Sequence, residues 1–337
     1  MKFLSIIFHF FYYFTPIFAQ HVEYSFFITP KDFGCIPNEI KAASDNSEKM
    51  QEMIDYAVKT GKKITSKGEE KYYISKSLYI TQPISIEFNR ATLIATDTID
   101  MLVILKTEKN NRLYSGIISG LYLDLNKKAK SGINCRHVVK LHVSDCWIYG
   151  VPKNACGVKV EKGAEMFFDN IHIEGGENKA IGVKIDTHDC HFTDCAMINC
   201  HIAVDNKGSN FYERIHAWIE NGNWIDESAF FRVRGGEPIF LHQCFSDTFD
   251  RAFLIENKTS LFISQHKNFH NKNMWKMDIT KIHPEIFHLN NEQIEKDVYI
   301  VLNDSYIGGL YINEKERQKF SNIKNFAVNG INNIISK

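Results

Sequence analysis

The sequence predicts a β-solenoid, specifically a parallel β-helix, and three observations between Ser131 and His270 support this. Short runs of alternating apolar and polar residues recur there at intervals of 25, 24, 20, 29 and 22 residues. A second short alternation precedes each run by eight to ten residues, and polar turns separate the two. A period of about two dozen residues is typical of a solenoid, in which each coil buries its apolar face against the next.

The repeat places two positions of each coil in a common register. The upstream alternation leads with Ile133, Val158, Val183, Val204, Phe231 and Phe253, and the downstream one with Val143, Phe168, Phe192, Tyr212, Leu241 and Ile263. A leucine-rich repeat has a similar period, but its repeated Leu-x-x-Leu-x-Leu frame is absent. A sandwich with evenly spaced strands is the other alternative.

The first 19 residues have the features of a signal peptide. Lys2 is followed by an apolar run from Phe3 to Phe14, and a cleavage site is expected after Ala19. This run is shorter than the ~20 residues that a membrane span needs, and no later stretch could span a bilayer. We therefore expect a secreted or periplasmic protein, with a cap segment over residues 20–70 and the solenoid over residues 71–337.

The cap segment contains one predicted amphipathic helix. Asp45, Asn46 and Ser47 are its N-cap candidates, and Gly61 is its expected C-cap. A helix directly before the first coil would cover the open end of the solenoid, which otherwise exposes core and strand edges. The apolar face of the helix consists of Met50, Met53, Ile54 and Ala57.

The cap segment also resembles the opening of the pectate lyase/rhamnogalacturonase-like superfamily. The similarity lies in Lys31–Gly34, Asp45–Ser47, Met50–Gln51 and Ile54, although the Gly-Asp-Gly of that family is missing and its Asp-Asp-Thr is Asp-Asn-Ser here. The resemblance implies a right-handed, single-stranded β-helix that acts on polysaccharide. It implies no particular reaction, because the motif lies in the cap.

The two ends of the repeat region are less regular. Lys106–Arg112 is predicted to be a loop, and the strand pattern returns at Ile117–Asn126. Beyond His270 the pattern decays to an irregular end, with a break at His283–Glu285. The last strands are predicted at Val298–Leu302 and Gly309–Ile312.

Composition excludes some classes of function. The chain of 337 residues has 40 Lys plus Arg and 40 Asp plus Glu, so no global basic field indicates nucleic-acid binding. The eight cysteines are expected to be free. Cys146, Cys195 and Cys244 recur at one repeat position on alternate coils, which lie ~9–10 Å apart, beyond the reach of a disulfide.

Charged residues line up on the outer side of the upstream strand, where equivalent positions lie ~4.8 Å apart. We predict catalytic roles for Lys184, Asp186, Glu161 and His188, and substrate binding by Lys159, Asp205, Arg232 and Arg234. In this scheme the cations neutralise the carboxylate of a uronate sugar, and His188 removes the adjacent proton. The first outward column is Asn134, Lys159, Lys184, Asp205 and Arg232, and the second is Arg136, Glu161, Asp186, Lys207, Arg234 and Glu256.

The favoured function is therefore degradation of an acidic polysaccharide by β-elimination. The alternatives are a glycoside hydrolase using Glu161 with Asp186, at the ~5–5.5 Å that retention requires, or Asp186 with Asp205. A non-catalytic glycan-binding or attachment protein is another alternative, as is a surface on which the charges simply pair with one another. No metal site is assigned; the resemblance leaves open Ca²⁺ between Glu161 and Asp186. Monomer and trimer are both compatible with the sequence.

Two further columns follow the downstream strand. One contains Asp145, Asn170, Asp194, Arg214, Gln243 and Gln265, and we interpret it as a structural corner whose polar groups satisfy the turn. The next outward column contains Trp147, His172, Ala196, His216, Phe245 and Lys267. Trp147 or Phe245 is a candidate for stacking on a sugar ring.

Overall fold

The computed structural model describes residues 26–106, 113–220, 225–269, 285–289, 298–303, 306–307, 326–329 and 334–335. The expected signal peptide, most of the Lys106–Arg112 loop and the expected strand at Gly309–Ile312 lie outside the described residues. Before the first coil come two 3-10 turns, Pro30–Phe33 and Ile40–Ala42, and the helix Ala43–Thr60. Within the described residues no helix has the length and apolar character of a membrane span.

The described strands form a three-sided parallel β-helix, and each coil whose residues are all described on the three sides has one strand on each face. Face 1 is a nine-stranded parallel sheet. Its strands are Leu78–Ile80, Asp100–Leu105, Ser131–Arg136, Cys156–Glu161, Ile181–Asp186, Ile202–Asn206, Ala229–Val233, Arg251–Ile255 and Glu285–Leu289.

Face 2 follows face 1 in each coil, and Phe27–Ile28 pairs with its first strand. Its strands are Lys63–Thr65, Ser85–Glu87, Leu113–Ser119, the first parts of Val138–Val151 and Phe167–Gly175, then His191–Thr193, Phe211–Glu213, Pro238–His242, Thr259–Ser264, Val298–Asn303 and Phe326–Asn329.

Face 3 follows face 2 after a sharp corner. Its strands are Lys71–Ile74, Thr92–Ala95, Tyr122–Asp124, the last parts of Val138–Val151 and Phe167–Gly175, then Ala196–Ile198, His216–Trp218, Phe245–Asp247, Lys267–Phe269, Tyr306–Ile307 and Ile334–Ile335.

The register of the coils confirms the predicted repeat. Val143, Phe168, Phe192, Tyr212, Leu241 and Ile263 pair in that order along face 2, and Ile133, Val158, Val183, Val204, Phe231 and Phe253 pair along face 1. These leading residues are buried in one continuous core. The parallel pairing excludes the sandwich, and the three strands of each complete coil exclude a leucine-rich repeat, which has one strand per repeat.

The corner between faces 2 and 3 is the predicted polar column. Its six residues all adopt the left-handed conformation, with φ between 51° and 54°. They also bond along the column: Asn170 donates to Asp145 at 2.8 Å, and Arg214 makes bonds of 2.6 and 2.8 Å to the two oxygens of Asp194. These bonds confirm the structural interpretation of this column.

Cys146, Cys195 and Cys244 face the interior core, as predicted. All eight cysteines are free and buried. Burial raises the pKa of Cys146, Cys195 and Cys244 to about 12, so these thiols stay protonated and pack as small apolar groups.

The helix covers the first coil, and its Met50 and Met53 are fully buried in the solenoid core. Gly61 is the C-cap, in the left-handed conformation with its N–H bonded to Ala57, as predicted. The N-cap prediction was wrong: Ala42 is the N-cap. The side chain of Asn46 instead exchanges hydrogen bonds with the backbone of Ile36, so it anchors the preceding segment.

The far end contains one strand that the sequence analysis did not predict. Glu285, the last residue of the predicted break at His283–Glu285, begins the strand Glu285–Leu289, which pairs in parallel with Arg251–Ile255; His283 and Pro284 lie outside the described residues. Proline has no backbone N–H to donate to a sheet. It is nevertheless tolerated directly before a strand, because no hydrogen bond between strands is lost there. The predicted strand at Val298–Leu302 is confirmed.

Candidate functional site

The outer side of face 1 brings the predicted charged residues together. Asn134, Lys159, Lys184, Asp205 and Arg232 are paired in register on five successive strands. The neighbouring column begins with Arg136, Glu161 and Asp186, which are also in register. Alternation along the strands therefore predicted the composition of this surface correctly.

Asp205 lies at the centre of this surface, but it is completely buried. Its two carboxylate oxygens accept hydrogen bonds from the guanidinium groups of Arg232 and Arg234. A buried carboxylate needs such partners, because its desolvation is otherwise very costly. Asp205 thus holds the two arginines in place, and its carboxylate is covered by them.

Glu161 and Asp186 are each engaged by cations. Glu161 lies 2.7 Å from the Lys159 ammonium and 3.4 Å from the Arg136 guanidinium, and Asp186 lies 2.7 Å from Arg234. Both carboxylates are therefore already held in ion pairs with neighbouring side chains of this surface, which leaves them poorly placed to act on a glycosidic bond.

A cavity of about 500 Å³ opens at the end of the face 1 strands. It has four lysine and arginine side chains against two carboxylates. Among the described residues, neither Lys162 nor Lys207 has an acidic side chain within ion-pair distance, and both are exposed. The cavity is therefore net cationic, and two of its cations are open to a ligand. Its lining residues are Arg136, His137, Glu161, Lys162, Asp186, Lys207 and Arg234.

The predicted site residues divide between this cavity and its surroundings. Glu161, Asp186 and Arg234 line it. Lys159, Lys184, Asp205 and Arg232 lie in the adjacent column of face 1. His188 is exposed in a turn outside the cavity lining, where its Nδ1 accepts a hydrogen bond of 3.4 Å from the Ser209 N–H.

The sequence analysis missed His137 and Lys162, which line the cavity. Both follow a face 1 strand directly and adopt the left-handed conformation, with φ of 57° and 54°. Strand alternation gives no direction for side chains in such turns. The available signal was their place immediately after the charged column, at Arg136 and Glu161.

The acidic residues do not fit the calcium site that the resemblance leaves open. Ca²⁺ takes six to eight oxygen ligands. The carboxylates of Glu161 and Asp186 already face three cationic side chains, and the described residues include no group of three or more His, Cys, Asp or Glu arranged to hold a metal ion.

Face 2 carries a column of rings that the sequence analysis did not single out. Neighbouring centroids from Phe167 onward lie 4.6–5.1 Å apart, with interplanar angles of 9–18°. Each ring therefore covers the face of the next and shows its edge to solvent. A cavity of about 300 Å³ lies beside this stack. The stack consists of Phe167, His191, Phe211, Phe240 and Phe262.

Face 3 carries the predicted outward column of Trp147, His172, Ala196, His216, Phe245 and Lys267, in register as expected. Its rings are tilted against one another and not stacked face to face. Trp147 and His172 are 4.7 Å apart at 35°, and His216 and Phe245 are 4.7 Å apart at 53°. The two ring surfaces of the molecule thus differ in geometry.

Comparison with known proteins agrees with this architecture. No family model matches the chain, and no curated protein matches it in sequence. Among solved structures, the surface protein and adhesin PfbA of Streptococcus pneumoniae is similar, with a TM-score of 0.58 and 10% identity over 83% of this chain and 91% of that one. ORF18 of Geobacillus virus E2 is similar at a TM-score of 0.50 and 10% identity, over 84% of this chain and 62% of that one. At such identity the likeness shows the fold, and the chain has the fold of the parallel β-helix proteins.

Proposed function

We propose that the protein binds an acidic polysaccharide in the cationic cavity of face 1 and cleaves it by β-elimination. The observation that carries the proposal is the excess of cations around this cavity, including the uncommitted Lys162 and Lys207. A sugar carboxylate is the natural counter-ion for such a group, since charge-assisted hydrogen bonds to lysine and arginine are the strong ones.

The chemistry follows from the same residues. Cations that neutralise the uronate carboxylate acidify the adjacent C5–H group. His137 lines the cavity and is exposed, so it is the imidazole placed to take this proton; it replaces His188 in the proposal. The electron pair of the broken C–H bond is first held by the neutralised carboxylate as an enolate. It forms the C4–C5 double bond as the C4–O bond breaks, and the leaving oxygen takes a proton from water; the hydroxide that remains takes the proton held by His137.

The charges of face 1 also bear on two alternative functions, hydrolysis and binding without turnover. Hydrolysis by Glu161 and Asp186 is disfavoured, because both carboxylates are already held in ion pairs with Lys159, Arg136 and Arg234. Binding without turnover is the second candidate, since the structure pairs most of the face 1 charges with one another. The similar Streptococcus pneumoniae protein is a surface adhesin, which fits this second candidate.

The proposed substrate also requires export of the protein. The expected signal peptide over residues 1–19 supports a secreted or periplasmic location. In such a location the protein would have access to extracellular polysaccharides. Export is tested by N-terminal sequencing of the protein from the culture medium or periplasm. A mature chain beginning at Gln20 is expected.

Turnover is tested with polygalacturonate and alginate as substrates. The ultraviolet absorbance of unsaturated ends is followed together with the release of reducing ends. Both signals are expected to rise together for the wild type. His137→Gln should abolish them, while His188→Gln, a matched exposed imidazole outside the cavity, should leave them unchanged.

The outcomes separate the candidates. Reducing ends without unsaturated ends would indicate hydrolysis. Binding without either product, weakened by Lys162→Ala or Lys207→Ala, would support the binding protein. Loss of activity in His188→Gln with normal activity in His137→Gln would overturn the assignment of the base.

A further inference from the structure

Face 3 presents ring faces, whereas face 2 presents ring edges. Trp147 is 38% exposed and meets Tyr122 edge-on at 71°. Its contact with His172 is tilted by 35°, so neither neighbour covers the indole squarely. An aromatic face that its neighbours leave uncovered is available to stack on a ligand.

A second indole, that of Trp218, is half-buried and lies beside the point where Ala196 interrupts the column. His172 and His216 lie on either side of Ala196 in register. Trp218, from the neighbouring column, contacts both imidazoles, with centroid distances of 6.4 Å to His172 and 4.5 Å to His216. It bridges the gap that the small alanine leaves. A ring at position 196 would occupy this space.

Some polar atoms among these rings make no hydrogen bonds with one another. His172 Nε2 and Asp247 Oδ1 are buried and have no hydrogen-bond partner among the described residues. A buried polar atom without a hydrogen-bond partner destabilises the folded chain. A surface shaped only for stability would avoid this cost, and departures of this kind concentrate at functional sites.

The charge of face 3 differs from that of face 1. Burial raises the pKa of Glu174 and Asp247, and the Glu220 carboxylate raises that of Glu174 further. Burial also lowers the pKa of His172 and His216, so both imidazoles are neutral at pH 7. Among the described residues neither Glu174 nor Asp247 takes part in an ion pair. An anionic ligand would find no cationic partner among these groups; Lys267, in the same column, lies one coil beyond Phe245, at the edge of this surface.

We propose that face 3, from Trp147 to Phe245, is a second saccharide site that binds an uncharged sugar chain lying along the solenoid axis. Such a chain offers C–H faces for the indoles of Trp147 and Trp218. It offers hydroxyl groups for the carboxylates of Glu174 and Asp247. The site uses different residues and a different ligand charge from the face 1 cavity, and it stands whether or not the face 1 proposal holds.

The test is a titration of the full chain with cellohexaose, mannohexaose and xylohexaose, followed by tryptophan fluorescence and calorimetry. At least one of these should bind the wild type. Trp147→Ala should weaken that binding about tenfold, the value expected from one lost stacking contact of about 1.4 kcal/mol. Phe167→Ala is the matched control, because Phe167 is 43% exposed but belongs to the face 2 stack; its affinity should match the wild type.

A second variant leaves both indoles in the chain. Ala196→Tyr fills the gap that Trp218 bridges, so it should also weaken binding, with an unchanged melting temperature as the check on folding. Binding of hexa-galacturonate should be the same in Trp147→Ala and the wild type. The proposal is overturned if no neutral hexasaccharide binds, if Phe167→Ala weakens binding as much as Trp147→Ala, or if Trp147→Ala reduces uronate binding instead.

Discussion

The buried carboxylate of Asp205 organises face 1, and its removal should be costly. Asp205→Ala leaves the guanidinium groups of Arg232 and Arg234 without their shared partner, although both arginines keep about a quarter of their side-chain area exposed. We expect the free energy of unfolding to fall by about 3 kcal/mol, the lower end of the range for breaking a buried pair.

Urea denaturation measures this change, and Lys184→Ala is the control. Lys184 lies beside Asp205 in the same column, but among the described residues it has no ion pair. Its removal should change the free energy of unfolding by less than about 0.5 kcal/mol. Equal effects of the two substitutions would contradict a structural role for Asp205.

His266 makes stability depend on pH. It occupies the interior position next to the corner, and burial lowers its pKa from 6.5 to about 4. Between these values the unfolded chain binds a proton that the folded chain does not, so stability is full above pH 6.5 and falls as the pH drops towards 4. The loss from this residue should reach about 3 kcal/mol at pH 4, since one pKa unit corresponds to about 1.4 kcal/mol.

The comparison is with His266→Phe, since Phe230 already stacks on this imidazole at 16°. Unfolding curves at pH 7, 5.5 and 4 give the stability of both chains. The difference between the two chains should change steadily in favour of the phenylalanine variant as the pH falls. Parallel pH profiles would show that His266 does not titrate in this range.

Single residues also show which features of face 1 the sequence predicted and which it did not. Alternation placed Lys159, Glu161 and Asp186 correctly, because strand geometry fixes which side chains point outward. It did not predict the burial of Asp205, which depends on two long arginine side chains from the next coil folding back over it. It did not predict His137, because a left-handed turn residue follows no alternation.

At the level of the elements, the helix Ala43–Thr60 protects the open end of the solenoid. Met53→Asp places a carboxylate in the core beneath the helix, where Met53 is fully buried. The helix should detach and expose the edge strands of the first coil, which then pair with other chains. Light scattering after size-exclusion chromatography should show larger species that increase with protein concentration.

The neighbouring exposed residue provides the control, since Glu52→Ala changes the same helix without touching the core. It should elute with the wild type. Far-ultraviolet circular dichroism should keep the β signal of the coils in both variants. A Met53→Asp protein of wild-type size at all concentrations would contradict the capping role.

The elements themselves were largely predictable, and their ends were not. The apolar face of the helix and the cap at Gly61 follow from periodicity and from the conformational freedom of glycine. The N-terminal end of the helix did not follow from these rules, because the side chain of Asn46 bonds to the backbone of Ile36 and not to its own helix. The strand Glu285–Leu289 was missed because a proline before a strand reads in sequence like a proline that ends one.

In the whole molecule, a stack of coils turns a repeat into three separate surfaces. Face 1 carries paired charges beside a cationic cavity. Face 2 carries a stack of rings that cover one another. Face 3 carries tilted rings together with carboxylates that, among the described residues, take part in no ion pair. The fold followed from the period of the sequence. The difference between faces 2 and 3 did not, because ring orientation depends on the neighbours above and below and not on residue type alone.

The most direct measurement is a crystal structure of the protein with a bound galacturonate or mannuronate tetrasaccharide and with His137→Gln to prevent turnover. We expect density for the sugar in the face 1 cavity, with a carboxylate contacting Lys162 or Lys207 and C5 facing position 137. A uronate chain bound elsewhere, with this cavity empty, would contradict the proposed function.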